Sequence, residues 1–88
     1  MWTLNKQGAG FAGQLPVAVQ NKFDAFQNAI HNLGLHPKDA AQWIGDSNFK
    51  KLGNSQQYQI RLSQAHRVTF LVDDVTHTVT ILQVGGHT

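Results

Sequence analysis

Between Tyr58 and Val72 the chain alternates apolar and polar residues twice, and no other stretch limits the possible folds as strongly. Tyr58, Ile60 and Leu62 alternate with polar neighbours, and after a short break Val68, Phe70 and Val72 do the same. A side-chain period of two on both sides of a polar break predicts a hairpin buried on one face. A three-residue loop of Gln64, Ala65 and His66 pairs Leu62 with Val68, Ile60 with Phe70 and Tyr58 with Val72. Every apolar side chain then shares a face, whereas a two-residue loop sets Leu62 against Arg67 and splits it, so the longer loop is expected. The other face carries Gln59, Arg61, Ser63, Arg67 and Thr69. Two guanidinium groups turned away from the core either hold sheet edges through carbonyl or carboxylate contacts or bind an external anion.

The preceding half supplies a layer for the apolar face. Val19, Phe23, Phe26, Ile30 and Leu33 recur at spacings of 4, 3, 4 and 3, with Gln20, Asn21, Asp24, Gln27 and Asn28 outside the stripe. This predicts a helix over 15–33, with Pro16 in its first turn and Gly34 at a left-handed cap. Aromatic residues at that spacing are core. A second, short helix is expected from Leu35 to Ile44, started by Pro37, stopped near Gly45 and anchored by Trp43. Met1–Asn5 reads as a first strand, 6–13 as a flexible glycine-bearing connection and Phe49–Leu52 as a short strand. Asp73–Thr76 turns the chain into Thr78–Val84, where Val79 and Ile81 compete with Leu82 and Val84 for the core face. The expected fold is α+β, one domain over residues 1–88. Two N-terminal helices pack on one face of a curved, mostly antiparallel sheet of three or four strands.

Net charge is +2, but the charges are unevenly placed. From Ser47 to Leu71 there are four cations (Lys50, Lys51, Arg61, Arg67) and no acid. A local basic zone on a nearly neutral body suits a phosphate backbone as well as plain solvation. Cysteine is absent, which excludes disulfides and thiolate metal sites. No apolar run approaches the ~20 residues of a membrane span, and no signal-peptide pattern opens the chain. His31 and His36 lack the i, i+4 spacing of a helical metal pair and read as surface or half-buried.

Leu52-Gly53, then Tyr58 to Phe70, then Val79 to His87 together resemble the RelE/ParE superfamily of small bacterial toxins. Those domains carry a Y-x-x-R-x-s-x-x-x-R-v-x-f hairpin and a last strand that ends in histidine or tyrosine. The resemblance covers roughly Phe49–His87, and the spacing of Arg61, Arg67 and His87 is similar to that of the YoeB-like ribonucleases. It implies a RelE-like, microbial-ribonuclease-like fold and a toxin that cuts RNA, either mRNA on the ribosome or tRNA, to block translation and growth. The implied chemistry needs neither metal nor cofactor: the 2′-hydroxyl attacks phosphorus and the 5′-oxygen leaves.

On that resemblance Arg67 and Arg61 stabilise charge on the phosphoryl oxygens, and His87 delivers a proton to the leaving oxygen. Lys50, Lys51 and Tyr58 are candidates for RNA contact. YoeB-like enzymes place a glutamate base before the hairpin, and this chain has no glutamate, so Asp46, His66 and His77 stand as alternatives. The last residue is Thr88 where a stacking aromatic is common, which turns attention to Trp43 or Tyr58. The implied partners are RNA and a cognate antitoxin or immunity protein, acidic where it meets Arg61 and Arg67. The implied site of action is the cytoplasm, reached in place or by delivery as the C-terminal effector of a larger secreted protein. The superfamily also contains ParE-like toxins that bind DNA gyrase and cut nothing, so that function is the alternative.

Overall fold

A computed structural model describes residues 2–6, 8–11, 15–45, 48–53 and 56–85. In chain order the elements are β1 (Thr3–Asn5), β2 (Gly10–Phe11), α1 (Val17–His31), α2 (Pro37–Trp43), β3 (Lys50–Lys51), β4 (Gln57–Ser63), β5 (His66–Asp73) and β6 (Thr78–Val84). The fold is α+β, with one mixed sheet in the order β1-β6-β5-β4-β3. From β3 to β6 the pairing is antiparallel, as the alternating pattern implies. Beyond β6 the expectation of three or four strands falls short. β1 and then β2 run parallel to β6 along its outer edge, Thr3 opposite Thr78 and Phe11 opposite Val84. Parallel neighbours need a long crossover between them, and the helices followed by the β3–β5 meander provide it. Part of the stretch expected as a flexible connection is therefore sheet.

Helix α1 starts after Pro16 and buries Val19, Phe23, Phe26, Ala29 and Ile30. It ends at His31, two residues short of the expected Leu33, which is 50% exposed. Gly34 takes φ +69, and that turn lets the Leu35 N–H reach the Ala29 carbonyl at 3.0 Å. In α2 the residues facing inward are Pro37, Ala40 and Ala41, and the small alanines let the helix come close. Trp43 lies about half a turn away from Ala41 around the helix and is 65% exposed, so it is not the anchor expected of it. The half-buried Ile44, on the Ala40–Ala41 side, packs against the core instead.

The core lies between this helical layer and one face of the sheet. Phe23, Phe26 and Ile30 meet Ile60, Val68, Phe70, Val79 and Ile81 there, all at most 1% exposed. Two bulges keep the apolar residues facing it. In the central hairpin the loop is only Gln64-Ala65, and Ile60 pairs with Val68, Tyr58 with Phe70 and Arg61 with Arg67. The expected register is thus two residues off. A two-residue loop does not split the face because Leu62 is an extra residue, between the Arg61–Arg67 and Ser63–His66 pairs, and stays buried. In β6 the extra residue is Leu82, so Val79, Ile81 and Val84 are all buried and the competition between them disappears. No helix among the described residues is long and apolar enough to cross a membrane.

Candidate functional site

The shifted register sets Arg61 directly opposite Arg67 on the face turned from the helices. Directly paired residues have Cβ atoms about 4.5–5.5 Å apart, and like charges so placed repel. An anion shared between the two guanidiniums would turn that cost into attraction. Both residues are half-buried. The Arg67 guanidinium is anchored at the hairpin tip, where Nη1 donates to the Ser63 carbonyl at 2.8 Å and to the Gln64 carbonyl at 3.4 Å. A guanidinium carries five N–H donors in a fixed fork, so this anchoring orients the group without exhausting it.

Ser63 also organises the tip through its side chain. Its Oγ accepts the Ala65 N–H at 3.3 Å and lies 2.8 Å from His66 Nδ1. His66 is the first residue of β5 rather than a loop residue, because the loop is shorter than expected. With Nδ1 engaged by Ser63, Nε2 is the imidazole nitrogen left to exchange a proton with a ligand. The backbone closes the same region from the other side, since the Gly85 N–H donates to the Arg67 carbonyl at 2.7 Å.

Pairing also sorts the remaining candidates. Lys50 is opposite Gln59 and therefore shares the arginine face, while Lys51 is opposite Tyr58 and projects to the other side. Tyr58 sits on the core face, its ring stacked at 5.1 Å from Phe49 and 6.4 Å from Phe70, and it does not join the guanidiniums. His77 belongs to the β5–β6 turn, the length of β5 (about 20 Å) from Arg67. Asp46 and His87 lie outside the described residues.

At the far end of the sheet the structure shows a cluster that the sequence does not announce. Trp2 is stacked on His77 with centroids 4.8 Å apart and meets the edge of His36 at 5.0 Å. His36 Nδ1 accepts the Lys38 N–H at 3.1 Å and so caps α2, while its Nε2 lies 3.0 Å from Asp74 Oδ1. A histidine immediately before the Pro37 of a helix start is the signal that could have found it. Nearby, Asp73 Oδ1 accepts the Val75 N–H at 2.9 Å and the Thr76 N–H at 3.1 Å. Those bonds, from Thr76 first and then Val75, hold its carboxyl below the usual aspartate range.

A concavity of about 420 Å³ lies elsewhere, between β1 and the C-terminal half of α1, lined in part by Leu4, Lys6, Asp24 and His31. Its helix side is occupied by local bonds, Gln20 and Gln27 to Asp24 and Asn32 to Asn28. The Arg61–Arg67 pair thus lies on the sheet face turned from the helices rather than in this hollow. No protein-family model matches the chain, and no curated protein matches it either.

Proposed function

We propose that the chain is an endoribonuclease toxin of the RelE-like kind, cutting RNA by 2′-hydroxyl attack without needing a metal. The observation that carries this reading is the cross-strand Arg61–Arg67 pair on the face opposite the helices. Transesterification at phosphorus adds negative charge to the non-bridging oxygens, and two adjacent planar donors suit that charge better than they suit the ground state. Arg67, oriented by the Ser63 and Gln64 carbonyls, is the principal stabiliser, and Arg61 holds the same or the adjacent phosphate.

Proton transfer falls to imidazole. His66, with Nδ1 held by Ser63 Oγ, can accept the 2′-hydroxyl proton through Nε2. His87 delivers a proton to the 5′-oxygen. The chain leaves the sheet at Gly85, beside Arg67, two residues before this histidine, which supports that assignment. Lys50 adds positive charge along the same face. The same surface is where an acidic antitoxin or immunity protein would neutralise the toxin in the cytoplasm.

The test is incubation of purified protein with free RNA and with translating ribosomes, followed by sequencing of 5′ ends. Arg67→Ala and His87→Ala should each lower cleavage by ~10²-fold or more while the fold is retained. RNA left intact under both conditions, together with inhibition of gyrase supercoiling, would replace this reading with the binding-toxin alternative.

A further inference from the structure

The bulge at Leu82 decides where the end of β6 points. Thr69 pairs with Gln83, whereas Phe70 pairs with Ile81. Strict alternation from Val79 and Ile81 would send Gln83 into the core. With the extra residue, Val84 is buried and Gln83 is exposed on the face that carries Arg61 and Arg67. Bulges commonly re-aim a side chain in this way. Gln83 belongs to a cross-sheet row, Lys50–Gln59–Thr69–Gln83, which Gly10 of β2 continues without a side chain and which lies beside the Arg61–Arg67 row. Two residues along a strand separate the rows, about 6.6 Å.

We propose that Gln83 reads the nucleobase next to the phosphate held by Arg61 and Arg67, as a specificity-determining residue; this rests on the ribonuclease reading above. A phosphate seated on the guanidiniums brings its neighbouring ribose and base over the adjacent row. Within that row Gln59 is only 3% exposed, and Lys50 is a point charge with no planar fork. Gln83 is the exposed planar amide of the four. An amide offers one donor and one acceptor side by side, and a base splayed from a single strand presents matching pairs on its edges.

Cleavage of an RNA pool randomised around the cut, read by 5′-end sequencing, tests this. Wild type should show a base preference at one position flanking the cut. Gln83→Ala should flatten that preference by about tenfold, the discrimination a bidentate amide–base contact supplies. Gln83→Glu offers acceptors only and should move the preference toward guanine, whose Watson–Crick edge presents neighbouring donors. An unchanged preference in both variants, with wild-type circular dichroism and melting, overturns the assignment and leaves the ribonuclease reading standing. So does wild-type cutting without any flanking preference, and so does complete loss of cleavage in Gln83→Ala, which would place Gln83 in the chemical step. A wild-type protein that leaves the pool uncut both as free RNA and on translating ribosomes removes both.

Discussion

The two ends of the sheet arrange their polar residues differently. At the β5–β6 end, His36 caps a helix and reaches Asp74, His77 lies flat on Trp2, and Asp73 is bonded to the backbone of its own turn. Each of these side chains has a partner in the fold or in its own turn. At the β4–β5 end two like charges face each other across the strands, an arrangement that folding alone disfavours. A histidine or an acid is therefore informative less by its type than by whether the fold has already consumed its hydrogen-bonding capacity. Arg67 is bonded at its tip as well, to the Ser63 and Gln64 carbonyls, so what sets the β4–β5 end apart is the opposed pair of like charges.

The largest effect expected from this contrast is on stability, at the structural end. Trp2→Ala removes a ring that is 7% exposed and should cost about 3–5 kcal/mol in chemical denaturation, with cleavage per folded molecule unchanged. At the other end Arg67→Ala should do the reverse. A loss of ~10²-fold in cleavage corresponds to about 2.7 kcal/mol of transition-state stabilisation, with a melting temperature that barely moves. Unfolding of Arg67→Ala under the assay conditions would show that the guanidinium is structural after all and would erase the distinction. His36→Ala, which loses the α2 cap, should lower stability by roughly 0.5–2 kcal/mol and leave cleavage unaffected.

Smaller effects sharpen the picture. Lys50→Ala should reduce the salt slope of RNA binding by about one, and Lys51→Ala, on the other face, should not. Equal slopes for the two variants would mean that the arginine face does not track the backbone. The smallest effect is at Asp73. Its carboxyl is held below the unfolded value, so its contribution is complete above the ordinary aspartate range and is lost as pH falls through the lowered value. Asp73→Ala should lower stability near neutrality and flatten the acid limb of the stability curve. An acid limb identical to wild type would remove the turn from the account.

What the sequence discloses follows from which interactions are periodic. The α1 stripe and the alternation in β4 and β5 are repeated signals, and the buried set Phe23, Phe26, Ile30, Ile60, Val68 and Phe70 matches them. The bulges at Leu62 and Leu82 are single-residue events that leave the apolar pattern intact, so a count of faces selects the wrong loop even though it buries the right residues. Leu33 and Trp43 show the limit of hydrophobicity as a guide: one falls past the helix end, and the other points away from a face already filled by alanines. The parallel edge was illegible for a different reason. β1 and β2 are three and two residues long, too short for a period, and their partner is some seventy-five positions away. Of the candidate site, the arginines could be named from their spacing, but their direct opposition depends on the bulge-shifted register.

That seam between Thr3 and Thr78 has a kinetic consequence. β1 cannot find its neighbour until β6 has been made, so this edge of the sheet stays unzipped while the elements between them are synthesised. High sequence separation of this kind slows folding, because loop closure must be completed before the contact is rewarded. The same delay postpones the Gly85–Arg67 backbone bond, which comes from the far end of β6. The face that carries the Arg61–Arg67 pair is thereby completed only when the closing strand arrives.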